Sequence, residues 1–371
     1  MSSDRISGEV LKAAREAADI GLSAMASRTH FSLSHLSNVE AGRRKPTAAV
    51  VAAYERETGS PLDRRSFLAL PSLAVVPESV APHMEAGRIG STTIARLIER
   101  TARLRQMDNF LGGADTYRTF LAELESTRYL AKTASYDEAT GRLIRSLIAE
   151  QAQQAGWSAF DAGWHDEARR LYEMSRQEAE EAQDRALTGN ALAFLAYQKH
   201  GTEWDAVETA AASVEHAAPQ VPAAVRALLL ERLAWAHAMA GQPRDTERAL
   251  DAAKEALARD SGQPAPDWAA WVDGTELEIM TGRCWAQLRQ PQRAIPVLES
   301  VLSGFPDAFS RDKALYLTWL ADAYRDAGEV EQAASVLRRA HALSALVASA
   351  RPRQRITEVA TTLAPFGFSL S

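Results

Sequence analysis

The chain has 371 residues, a formal net charge of −6, 46% hydrophobic and 24% charged residues, so it exceeds what one core usually organises and has the make-up of a globular protein with two or more domains. Cys284 is its one cysteine, which excludes an intrachain disulfide and a thiolate cluster for zinc or iron–sulfur, and points to the reducing cytoplasm. No stretch approaches the roughly 20 apolar residues that span a bilayer, and no basic-then-apolar leader opens the chain, so no membrane partner is expected. Ala, Leu, Glu and Arg recur while runs of Val, Ile and Thr are scarce, and the expected fold class is all-α. The charge is uneven. Residues 1–70 hold ten Lys or Arg against eight Asp or Glu, a balance of +2 ahead of a body of −8, which suits nucleic-acid binding through the head alone.

Four short helices are expected within residues 6–60. Val10, Leu11, Ala14 and Ala18 share one helical face, and Leu22, Met25 and Ala26 begin a second short helix. A third opens after Ser32, carries Leu36 and Val39 inward and stops at Gly42, which suits a left-handed C-cap. Pro46 bars continuation, and Thr47 is the N-cap expected for a fourth helix with Val50, Val51, Ala53 and Tyr54. From Ser60 the text changes, with Pro61, Pro71, Pro77 and Pro82 breaking any long helix. The expected division is a head over 1–62, a linker over 63–92, a helical connector over 93–142 and a repeat domain over 143–371. Arg64, Arg65, Ser66, Phe67 and Leu68 imitate a twin-arginine export signal, but Pro71 cuts the apolar run short and a folded domain precedes it, so a hinge is the expected role.

Beyond Leu143 each unit reads as a helix, a turn often holding Gly, and a second helix with Ala in its first turn. The alignable alanines are Ala168, Ala206, Ala249, Ala294 and Ala333, at gaps of 38, 43, 45 and 39 residues. In the first unit Trp157, Phe160, Gly163 and Trp164 lead into Ala168, Leu171 and Tyr172; in the last, Leu317, Leu320, Tyr324 and Gly328 lead into Ala333 and Leu337. The pattern over residues 143–345 resembles tetratricopeptide repeats, with looser spacing than their regular 34 residues. It implies an α-solenoid whose helix pairs bury their apolar faces on one another and form a concave inner surface. Pro264, Pro266, Trp268 and Trp271 lengthen one unit as an insertion.

The run Ser32, Leu33, Ser34, His35, Leu36, Ser37, Asn38, Val39, Glu40, Ala41, Gly42, Arg43, Arg44, Lys45 and Pro46 carries the sharpest signal. A helix whose exposed N-terminal side bears short polar groups, and whose other side packs on the helix before it, can enter the major groove. The run resembles the third helix and following loop of phage-repressor-like (Cro/C1, XRE-family) helix-turn-helix domains, through Leu36, Ser37, Val39, Glu40 and Gly42. The resemblance implies a lambda-repressor-like head over residues 7–60 and places Ser32, Leu33, Ser34, His35 and Asn38 at the DNA. Asn38 can pair with adenine, Ser34 with several bases, and Leu33 can lie against a thymine methyl. Read alone, Arg43, Arg44 and Lys45 are a solvated charge run; beside this motif they are phosphate contacts. The resemblance also implies a structural ion pair between Arg15 and Glu40, so that Arg15→Ala harms folding as well as binding. Leu33 and Leu22 depart from the family, which commonly has Gln or Arg at the first position and a phosphate-contacting Gln at the second.

Among the eight histidines no two lie three or four residues apart on one helix, and no phosphate loop, dinucleotide fingerprint or nucleophile elbow is present, so no metal, cofactor or catalytic site is expected. All eight tryptophans lie between Trp157 and Trp319. They serve either as packing between repeat layers, or, for some of Trp204, Trp235, Trp268, Trp271, Trp285 and Trp319, as the lining of a ligand groove with Asp273, Glu276 and Gln287 beside them. The function expected is that of a regulator reading operator DNA as a homodimer, with a repeat domain that senses a peptide or small molecule. The competing expectation is a repeat scaffold for a partner protein with a weak or silent DNA-binding head.

Overall fold

The computed structural model describes residues 8–18, 20–29, 31–40, 46, 48–58, 88–108, 111–198, 203–217, 221–259 and 264–369. These residues contain only helices and connections, with a single isolated bridge between Arg88 and Ser135. The fold is all-α. The chain divides into two compact units, Met1–His83 and Met84–Ser371.

The first unit packs α1 (Gly8–Ala17), α2 (Leu22–Thr29), α3 (Leu33–Glu40) and α4 (Ala48–Thr58) around Leu11, Ala14, Met25, Leu36, Val39, Val50 and Tyr54. These are the apolar positions that helical periodicity selects, and their spacing lets each short helix bury one stripe. Gly42, Thr47 and Gly59, the expected cap residues, lie outside the described residues, as does residue 63–87 of the expected linker.

The second unit begins with α5 (Ser91–Asp108) and α6 (Gly113–Thr133). Helix α5 starts three residues before Ile94, the sequence-based expectation; Ser91, Thr92 and Thr93 are weak helix formers, but they occupy a first turn whose N–H groups need no intrahelical partner. Both helices share one core with the repeats, through Ile94, Leu104, Phe120 and Leu124. Five helix pairs follow: α7 (Glu138–Asp161) with α8 (His165–Glu181), α9 (Arg185–Gln198) with α10 (Glu203–Ala217), α11 (Ala223–Met239) with α12 (Pro243–Ala258), α13 (Gly274–Gln287) with α14 (Pro291–Gly304), and α15 (Ser310–Asp326) with α16 (Val330–Ser344); α17 (Ala350–Leu363) ends the array. Ala168, Ala206, Ala249, Ala294 and Ala333 each fall in the first two turns of a pair's second helix and are buried.

The two helices of a pair differ in kind. Helix α12 buries one stripe, Thr246, Ala249, Leu250, Ala253 and Ala256, whereas α11 buries Val225, Leu228, Leu229, Glu231, Ala234 and Trp235 on several sides. First helices touch their own partner, the preceding pair and the following pair, and form the inner layer; second helices are amphipathic and form the outer layer. Gly163, Gly241 and Gly328 turn three of the pairs with φ between 69° and 87°, and Arg289 holds φ 55° in the corresponding turn of another. The expected insertion forms a 3-10 turn at Asp267–Ala269 with Ala269 buried, and Asp267 pairs with Arg105 of α5.

The ends of this unit meet. The Ala114 N–H donates to Ala348 O at 3.3 Å, and a Cβ on Gly112 would stand 2.1 Å from that same oxygen, so glycine is required there. Asp161, fully buried at the end of α7, joins the seam: Oδ2 accepts from Gly113 N–H at 2.8 Å, Oδ1 from the Ser349 hydroxyl at 2.8 Å, and Arg351 stands 3.8 Å away. Ser349 is 188 residues from Asp161 in the chain. The repeats therefore close on themselves, in place of the open concave surface that their spacing alone suggests.

Asp161→Ala leaves two buried donors unpaired and should cost about 3 kcal/mol or more, whereas Ser349→Ala should cost about 1 kcal/mol. Urea unfolding of both variants checks this, and equal midpoints for Asp161→Ala and the native chain would remove the seam from the account.

Candidate functional site

Helix α3 is anchored from three directions. Arg15 of α1 reaches Glu40 with two parallel hydrogen bonds, Nε to Oε1 at 2.7 Å and NH2 to Oε2 at 2.8 Å. Its third nitrogen donates to Ile20 O at 2.8 Å, and the Tyr54 hydroxyl donates to Glu40 Oε1 at 2.7 Å. Arg15 is 7% exposed, Glu40 5% and Tyr54 0%, so each buried charge is met by fixed donors or acceptors. The hydrogen bond to Glu40 raises the Arg15 pKa above its ordinary value, and burial followed by the Glu40 hydrogen bond raises that of Tyr54. A Cβ on Gly8 would stand 1.7 Å from Val39 O, so the start of α1 lies against the end of α3 only because residue 8 is glycine. Neither Gly8 nor the Tyr54 hydroxyl stood out in the sequence; a tyrosine on the apolar side of a helix otherwise built from Ala and Val was the available signal.

With Leu36 and Val39 buried, the opposite side of α3 faces outward. Ser32 is exposed and its hydroxyl accepts from His35 N–H at 3.2 Å, which caps the helix. Leu33 is 47% exposed. His35 is half-buried and stacks on Phe31 at 5.5 Å between centroids, and Asn38 is half-buried. The Ser34 side chain and residues Arg43, Arg44 and Lys45 lie outside the described residues. Leu22 packs against the head's core, in keeping with its departure from a phosphate-contacting residue.

The second site lies among the inner helices of the repeat unit. Trp235, Trp285 and Trp319 are buried at 3–7% exposure, and Trp271 is 45% exposed. Trp268 is half-buried, and the Trp204 side chain lies outside the described residues. Trp285 packs under Arg293, whose guanidinium is 3.4 Å from its centroid. Trp235 and Trp319 meet edge to face at 5.1 Å, and Arg283 lies over both, at 4.8 and 5.8 Å. Arg355 lies 4.0 Å from the Trp319 ring, and Arg351 lies 4.6 Å from Trp157. The Tyr197 hydroxyl accepts from Arg283 at 2.9 Å and from Arg351 at 3.1 Å, while Arg232 stands 5.1 Å from its ring. Sequence reading singled out the tryptophans and Glu276 but none of these arginines, which come from four different helices.

The charges in this cluster shape its titration. Burial alone would raise the Tyr197 phenol, but Arg283, Arg351 and Arg232 outweigh it and hold the group at about 7. Burial raises the Glu276 carboxyl to about 7 against the pull of Arg232 and Arg283. Burial likewise holds the Glu231 carboxyl well above the usual carboxylate range, reinforced by Glu276.

Residues 8–68 match the helix-turn-helix domain family. No curated protein matches the chain. Among solved structures, the chain is similar to BtubC (BKLC) from P. vanneervenii at 18% identity and a TM-score of 0.41, over 68% of this chain and 91% of that one. No helix among the described residues is long and apolar enough to cross a membrane.

Arg15→Ala would leave Glu40 buried beside a single tyrosine donor and should cost the head about 3–5 kcal/mol, most of what a domain of that size commands. Loss of the head's helical signal at temperatures where the repeat unit stays folded is the expected readout.

In this cluster, the contribution of Glu276 is fully present below its ordinary value of 4.5 and lost as pH rises through about 7. That of Tyr197 is present above its ordinary value of 10.0 and lost as pH falls through about 7. Plotted against native, the thermal midpoint of Glu276→Gln should lose the decline below neutral pH and that of Tyr197→Phe the recovery above it; parallel curves would refute the assignment.

Proposed function

We propose that this chain is a transcription regulator of the XRE type that reads operator DNA through α3 as a homodimer, with a tetratricopeptide-like repeat unit that senses a peptide or small molecule. The observation that carries the reading is the helix-turn-helix match over residues 8–68, together with an α3 that is fixed from behind by Arg15, Tyr54 and Gly8 and turns Ser32 and Leu33 outward. Rigid support of the inserted helix keeps its base contacts in register, because hydrogen-bond readout tolerates little misplacement. Arg43, Arg44 and Lys45 follow α3 in the chain and supply phosphate contacts that set register. A single head of this size buries too little surface for tight binding, and a pair on two half-sites corrects that. The chain acts by binding, without catalysis and without a metal or cofactor, in the cytoplasm.

Sensing requires that the effector bind two states of the protein with different affinity. The cluster at Tyr197, Arg283 and Trp235 supports this role, since it gathers side chains from α9, α11, α13, α15 and α17, and a ligand there would bear on all of them.

Selection of genomic fragments by the full chain, followed by sequencing, tests the DNA reading. One palindromic motif is expected, with affinity that falls steeply as salt rises. Asn38→Ala should lose the motif. Leu33→Arg, at an exposed position, should shift one position of each half-site toward guanine. Absence of enrichment by the native chain in the presence and absence of cell metabolites would sink the reading and leave a repeat scaffold.

A further inference from the structure

The cluster among the inner helices leaves several buried hydrogen-bond donors without partners. A guanidinium and an indole N–H can only donate. Among the described residues, Arg283 Nε, Arg355 Nε, Trp235 Nε1 and Trp319 Nε1 are buried without a hydrogen-bond partner. They are neighbours: Arg283 lies over both indoles and Arg355 over Trp319. Arg355 pairs with Asp322 and Glu358, and Arg351 with Asp161; neither Arg232 nor Arg283 has an ion pair among the described residues.

A buried guanidinium is normally matched by a carboxylate. The two carboxyls best placed for that, Glu231 and Glu276, do not match it: both oxygens of Glu231 are buried without a hydrogen-bond partner among the described residues, and Glu276 accepts only a long 3.3 Å bond from Tyr316. Desolvation favours the neutral acid at both. Among the described residues, Arg232 and Arg283 therefore keep an excess of positive charge, faced by aromatic rings and by Tyr197, whose phenol the arginines draw down to about 7. The edge of the cluster meets solvent: the Arg351 and Arg355 side chains are 12% and 21% exposed and Arg232 lies within 6.0 Å of the exposed Trp271.

We propose that this cluster binds a small aromatic oxyanion, a carboxylate or phosphate ester, with its charge held by Arg232, Arg283 and Arg351 and its flat body against Trp235 and Trp319. Two features select this class. Planar guanidiniums match the paired oxygens of a carboxylate or phosphate, and the indole edges and faces match a ring better than an aliphatic chain. The core groups are too deeply buried to follow an extended peptide, so the ligand is small. This inference rests on the reading of the repeat unit as a sensor and names the class of its effector.

Calorimetry on the full-length protein with benzoate and phenyl phosphate tests it, with benzamide and inorganic phosphate as controls. Saturable binding of one aromatic oxyanion per chain is expected, with tryptophan fluorescence changed and the thermal midpoint raised. The controls should bind about tenfold or more weakly. Arg232→Gln, at a partly exposed side chain without an ion pair, should keep the fold and lose about tenfold in affinity. Arg283→Lys, which keeps the charge but loses the planar fork, should fall between native and Arg232→Gln. No binding of either aromatic oxyanion, undiminished binding by Arg232→Gln, or equal binding of inorganic phosphate would overturn the proposal. Operator affinity measured in the same samples separates the two readings: Arg232-dependent binding with unchanged DNA affinity upholds the binding site while removing its role as sensor.

Discussion

A single buried carboxylate, Asp161, joins the first helices of the repeat unit to its last. An array of helix pairs is open by nature, since each pair touches only its neighbours and nothing in that rule brings the first to the last. Asp161 supplies what the rule lacks. It ends α7 and accepts from the starts of α6 and α17, where the first N–H groups of a helix and its capping hydroxyl have no intrahelical partner. The carboxylate is thus satisfied by groups that would otherwise be unpaired, and Gly112 permits the backbone approach beside it. Closure has a chemical result: side chains that would line an open groove are drawn into a shared interior.

That interior explains why arginine and aromatic residues share it. Arg283 comes from α13, Tyr197 from α9 and Arg351 from α17, at chain separations of 86 and 154 residues. Each guanidinium keeps part of its solvation by lying on a ring, a contact worth more when water is excluded. Rings cannot replace a counter-charge, so the cluster shifts the titration of its neighbours: Tyr197 is drawn down to about 7, while the carboxyls of Glu231 and Glu276 are raised.

The helix-turn-helix unit solves the opposite problem. Its charged pair, Arg15 and Glu40, is matched by the Ile20 carbonyl and the Tyr54 hydroxyl. The side of α3 away from that pair turns Ser32 and Leu33 outward.

Much of this was legible along the chain. Helical periodicity placed the head's helices and its buried residues Leu11, Leu36, Val39 and Tyr54, because a 3.6-residue period reports which side chains share a face. The recurring alanines located the second helix of every pair, because a crowded contact between paired helices accepts only a small side chain. The Arg15–Glu40 pair was expected from resemblance, and its bidentate geometry adds the Ile20 and Tyr54 contacts that no local pattern announces. Which tryptophans face inward, the clasp at Asp161 and the convergence of Arg232, Arg283, Arg351 and Arg355 were decided only by the tertiary structure. Periodicity describes contacts within a turn or two of one helix; a seam between residues 188 apart depends on the small rotations summed over every repeat, and those are set by packing.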